Sequence, residues 1–162
     1  MNVGHEARTQ LQLLPGVEKL IKHLHANNVP MAIATGAGRK NYEVGRANFT
    51  EFFDTYINHA VCAFDDPEVR NRKPAPDCYL VACERFPNPP SDMNNVLIFE
   101  DSITGLKGAT ETGGRIVFVS KFKSLFTEAN QPYIAKAEVV IESMEHFKPE
   151  DYGLPPYNIE KD

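Results

Sequence analysis

Five short apolar runs recur along this chain, and segments of helical spacing separate them. The runs are Val29–Thr35 (VPMAIAT), Tyr56–Phe64, Val96–Phe99 (VLIF), Arg115–Val119 and Glu138–Ile141. Each has the length of a strand, and those rich in consecutive apolar residues read as strands buried on both faces. Between them the period changes. Pro15-Gly16 opens a helix with Val17, Leu20, Ile21 and Leu24 on one stripe, and Asn27-Asn28 closes it. Proline suits a helix start because its missing N–H is unpaired there anyway. Further helices are predicted from about Arg39, over Pro76–Phe86 and over Ile103–Thr112, with a proline-rich loop at 86–91 (FPNPPS). Strands alternating with helices predict βαβ units and an open parallel sheet, an α/β fold.

Composition narrows the function classes. The 162 residues suit one domain, and 42% apolar with 24% charged residues is ordinary for a soluble globular chain. A net charge of -5 argues against nucleic acid as the main partner, which would call for a basic surface. No run approaches the roughly 18 apolar residues of a membrane span, so no membrane partner is expected. The first sixteen residues lack the apolar core of a signal peptide. The three cysteines, Cys62, Cys78 and Cys83, are an odd count without CxxC spacing. They read as free thiols in a reducing compartment, and the expected location is cytoplasmic.

Open parallel sheets bind ligands at the carboxyl ends of their strands, so the residues just past each run carry the interest. Thr35 ends one strand and precedes Gly36-Ala37-Gly38, whose backbone N–H groups could cradle a phosphate oxygen. A plain turn or a helix cap explains the same residues. Lys73 stands before Pro74 and Pro76, which stiffen the backbone and could hold an ammonium against a phosphoryl group. A solvated lysine ahead of a helix is the structural alternative. Glu100-Asp101-Ser102 follows VLIF directly. Two adjacent carboxylates at a buried strand end are costly unless paired or bound to a cation, and Mg2+ takes one or two such groups. An acidic helix start is the alternative. Gly105 reads as a structural close-packing position. His23 and His25 read as solvated, and no Ser-His-Asp set or P-loop is present.

Thr35 at a strand end, then Lys73-Pro74, then Phe99-Glu100-Asp101-Ser102, in this order and spacing, resemble the second, third and fourth motifs of the haloacid dehalogenase (HAD) superfamily. Within it, the text is most similar to the pseudouridine-5'-phosphatase branch, on LPGVEKLI (14–21), DDPEV (65–69), KPAPD (73–77) and YGLPPY (152–157). The resemblance implies a three-layer Rossmann-like core and phosphoryl transfer to an aspartate, followed by hydrolysis of the aspartyl phosphate with Mg2+. It implies that Thr35 and Gly36 bind phosphate, that Lys73 is catalytic and phosphate-binding, and that Asp101 ligates Mg2+, with Glu100 a ligand or its neighbour. A small, nucleotide-like phosphorylated metabolite is the implied partner, with pseudouridine 5'-phosphate as one candidate.

One departure bears on all of this. The superfamily's first motif, Asp-x-Asp-Gly-Thr, supplies the nucleophile and a metal ligand, and no Asp-x-Asp occurs in these 162 residues. The resemblance therefore implies a chain truncated at its N-terminus, without the central first strand and most of the cap domain. Residues 1–13 would be a remnant of a cap helix, 14–149 a partial core and 150–162 a tail. Such a chain would be inactive alone and prone to self-association through unpaired strand edges. A catalytically dead paralogue that binds a partner, or a phosphomutase, fits the same motifs. A dehalogenase fits less well, because it has no use for Glu100-Asp101.

Overall fold

The computed structural model describes residues 12–157, so the expected cap remnant at 1–13 falls almost wholly outside them. Gly16 sets the entry of α1 (Val17–Ala26). Its φ is +85°, and a Cβ there would stand 2.6 Å from the backbone of Met144 and Glu145. Only glycine meets both demands. Leu20 and Leu24 form the buried stripe of α1, and Asn28 leaves the helix with a positive φ of 57°.

The chain then runs through β1 (Ala32–Thr35), α2 (Arg39–Gly45), α3 (Thr50–Tyr56), β2 (His59–Cys62), α4 (Asp77–Glu84), β3 (Leu97–Glu100), α5 (Ile103–Thr110), β4 (Arg115–Val119), α6 (Gln131–Ile134) and β5 (Val139–Ile141). Every described strand pair is parallel. Two apolar clusters lie on opposite faces of the strands. One gathers Cys78, Val81 and Ala82 of α4, Leu106 and Ala109 of α5, and Ile98, Ile116 and Phe118 of the strands. The other gathers Leu20 and Leu24 of α1 with Val117, Ile141, Met144 and Phe147. The fold is thus a three-layer α/β/α sandwich of Rossmann-like form. The segment 150–157 closes over α1: His23 Nε2 lies 2.7 Å from the Pro155 carbonyl oxygen, and the Lys19 ammonium sits over the Tyr157 ring. His23 is therefore half-buried and engaged, where the sequence suggested solvation.

The strands form two sheets rather than one. β1 pairs with β2, and β3-β4-β5 form the other; among the described residues no strand lies between β1 and β3. The consequence shows in burial. Val117 and Phe118, neighbours in β4, are both fully buried, one in each cluster. All four residues of β1 are only half-buried. The strand covered on both faces is β4, whereas β1, expected to be such a strand, pairs on one edge alone among the described residues. The predicted run 56–64 also divides: Tyr56 ends α3, and the ladder starts at His59. The three cysteines are free and buried, Cys78 and Cys83 both on α4.

Candidate phosphate-binding site

Lys73 joins the two sheets. Its Nζ donates to the backbone carbonyl of Ala34 in β1 at 3.1 Å and to Glu100 Oε1 at the end of β3. The Lys73 side chain is only 13% exposed, so this is a buried cation rather than a solvated one. The loop that carries it packs tightly on α5. A Cβ on Gly108 would stand 2.8 Å from the Ala75 carbonyl oxygen, so glycine allows the contact.

Glu100 is inside β3, not beyond it, and its carboxylate is buried. A buried carboxylate is tolerated when it is paired and hydrogen-bonded, and here both conditions hold. Lys73 Nζ donates to Oε1, as does the Tyr79 hydroxyl at 2.5 Å; the Ser102 hydroxyl donates to Oε2 at 3.2 Å. Burial, and then the Glu100 charge, push the Tyr79 phenol far above its ordinary pKa, so it stays a donor. Ser102 also caps α5 by accepting from the Gly105 N–H at 2.9 Å. Gly105 makes the arrangement possible. A Cβ on it would stand 2.0 Å from Glu100 Oε2. The sequence assigned this glycine to helix–strand packing; the group that needs the space is a carboxylate.

The other expected residues lie around this pair. Thr35 ends β1, one residue past the carbonyl that Lys73 holds, and its Oγ1 accepts from the Ala37 N–H at 3.2 Å. Gly36 is exposed, and a Cβ there would meet nothing within 4 Å, so the space above it is open. Asp101 is exposed at the end of β3. The structure therefore brings Thr35, Gly36, Lys73, Glu100 and Asp101 to the carboxyl ends of β1 and β3, the edge at which such sheets bind ligands. Tyr79 is the member that motif reading missed.

The acidic groups fit Mg2+ only in part. Among the described residues no three acidic, histidine or cysteine side chains gather at ligand spacing. Glu100 is occupied by three protein donors, which leaves Asp101 as the carboxylate facing outward. One such group falls short of a site by itself, although Mg2+ commonly takes one or two carboxylates and fills the rest with water and phosphate.

The family follows from comparison. The haloacid dehalogenase-like hydrolase model matches residues 3–113, more than half the chain. This chain belongs to the haloacid dehalogenase-like hydrolases. It is 42% identical over 146 residues to a probable pseudouridine-5'-phosphatase of Drosophila melanogaster, covering 90% of this chain and 60% of that one. It is 39% identical over 146 residues to (DL)-glycerol-3-phosphatase 2 of Arabidopsis thaliana, covering 90% and 58%. The chain thus spans about three fifths of the length of these relatives. A HAD hydrolase of family IA, variant 3, from Entamoeba histolytica superposes with a TM-score of 0.70 at 22% identity, over 90% of this chain and 61% of that one. CbbY from Rhodobacter sphaeroides in complex with phosphate gives 0.67 at 24%, over 82% and 55%. These structures share its fold. Among the described residues no helix is long and apolar enough to cross a membrane.

Proposed function

We propose that this chain carries the phosphate-holding part of a Mg2+-dependent phosphatase for small phosphomonoesters. One observation supports this above others: the Lys73 ammonium is fixed between a β1 carbonyl and the buried Glu100, beside an open Gly36. A phosphate oxygen entering over Gly36 would meet the Thr35 hydroxyl, local N–H groups and the Lys73 charge. Glu100 acts through Lys73, orienting the ammonium and balancing its charge. Asp101 would hold Mg2+, which when bound screens the phosphate and nearby carboxylates. Pseudouridine 5'-phosphate, named in the Drosophila relative, is a candidate substrate. In this reading residues 14–149 are the core and 150–162 a tail, of which residues 150–157 lie against the core, in a cytoplasmic protein.

The family's nucleophile comes from an Asp-x-Asp pair, and these 162 residues have none. The chain alone is therefore expected to bind phosphate without turning over a phosphomonoester. Among the described residues one edge of β1 and one edge of β3 are unpaired, and such edges favour association with further strands, including those of a second copy. The test is a calorimetric titration with inorganic phosphate, run beside an assay for Mg2+-dependent phosphate release. Binding that weakens tenfold or more in Lys73→Ala, with no release, is the expected result. Equal binding by the variant overturns the role of Lys73, and release by the wild-type chain overturns the claim of inactivity.

A further inference from the structure

Phe64 is a large aromatic residue left 57% exposed two residues past the carboxyl end of β2, the strand that pairs with β1. A lone exposed apolar residue needs no explanation, but this one is held in place from several sides. The Arg72 guanidinium lies 3.9 Å from the centre of its ring, and Arg72 Nη2 donates to the Phe64 carbonyl at 3.2 Å. The next residue, Asp65, accepts the Arg39 N–H on both carboxylate oxygens at 3.0 Å. That contact ties the Phe64 turn to the loop after β1. A Cβ on Gly38 would stand 3.4 Å from Phe64 Cδ1, so the ring borders the Gly36–Gly38 loop. On its other flank Arg72 is the chain neighbour of Lys73. The ring thus borders the loop that follows Thr35 and is tied through Arg72 to the segment that carries Lys73, with one face against a cation and much of its surface in water.

We propose that Phe64, backed by Arg72, seats the alcohol part of the phosphomonoester and favours substrates whose alcohol carries a flat heteroaromatic ring, such as nucleoside 5'-monophosphates. A base stacks on an aromatic ring whatever its hydrogen-bonding edge, and one ribose separates it from its 5'-phosphate. Arg72 adds a second positive charge beside a dianionic ester and fixes the ring by a cation–π contact. An acyclic ester such as glycerol 3-phosphate offers no surface to stack. The two relatives described above differ on this point, one being named for a pseudouridine nucleotide and the other for glycerol phosphate. Phe64 sorts this chain with the first. The inference rests on the reading that Thr35, Gly36 and Lys73 hold the phosphate.

The test measures the affinity of the 162-residue chain for uridine 5'-monophosphate, glycerol 3-phosphate and inorganic phosphate by calorimetry. The nucleotide is expected to bind about 5- to 150-fold more tightly than glycerol 3-phosphate, the range of one base–aromatic stack. Phe64→Ala should collapse that ratio towards one, and Phe64→Tyr should keep it. Equal affinity for the two esters in the wild-type chain, or a ratio unchanged in Phe64→Ala, overturns the inference. That result leaves the phosphate site standing if inorganic phosphate still binds. A chain that binds no phosphate overturns the site and the inference together. A ring that instead serves as a contact for another protein segment would show an unchanged ratio with altered self-association, and that also overturns the inference.

Discussion

The two strand ends that meet at Lys73 are built in opposite ways. At the end of β3, Glu100 is buried and receives donors from Lys73, Tyr79 and Ser102. At the end of β1 there is one backbone carbonyl for Lys73, a half-buried threonine and an exposed glycine with open space above it. The β3 end holds the cation still, because a buried carboxylate without its partner is costly. The β1 end leaves room for something else to enter. A site that binds an anion reversibly needs both properties: a charge fixed in advance and a face not already filled.

The largest expected effect comes from breaking the β3 end. Lys73→Met leaves Glu100 buried without its cation and should lower stability by about 3–5 kcal/mol in urea unfolding. A double variant that also replaces Glu100 by Leu should lose much less than the sum of the two single changes. Additive losses would mean the pair does not interact. Gly105→Ala should cost about 1–3 kcal/mol, because its methyl group must displace the Glu100 carboxylate. A neutral result would show that the carboxylate does not occupy that space.

The smallest effect sharpens the comparison with an ion pair at the end of β2 whose cation is more exposed, Arg85 at 31% against Lys73 at 13%. Arg85 donates to both oxygens of Asp66 at 2.7 Å, and this holds the Asp66 carboxyl below the ordinary carboxylate range. A lowered folded-state pKa adds stability above the unfolded value near pH 4 and loses it as the pH falls through the folded value. Arg85→Ala should therefore cost up to about 1 kcal/mol near neutrality, and the difference from wild type should fade in acid. A difference that persists in acid would assign the loss to packing of the arginine stem.

Much of this contrast was legible in the sequence. Thr35, Lys73 and Glu100 stand at the ends of apolar runs or beside prolines, and strand ends are where parallel sheets place ligands. The burial of β4 and the half-burial of β1 were not legible, because both runs are mostly apolar and only the pairing of strands separates them. Tyr56 closes α3 although it heads the run 56–64 expected as a strand, because an aromatic residue suits a strand as well and only the pairing from His59 onward marks where the ladder begins. Tyr79 was hidden within an apolar helix, and its role depends on a contact 21 residues away with Glu100. Gly105 did carry a signal: glycine inside a helix is unfavourable unless something needs its missing side chain. What needed it was visible only in three dimensions.

The most direct test follows backbone amide shifts in the 15N-labelled chain as inorganic phosphate is added, in wild type and in Thr35→Val. That variant disturbs little of the fold, since the hydroxyl serves one backbone N–H. The expected result is a saturable set of shifts centred on Thr35, Gly36 and Ala37, weakened at least several-fold in the variant. Shifts that cluster away from these strand ends, or that are the same in both proteins, would contradict a phosphate site built from Thr35, Gly36 and Lys73.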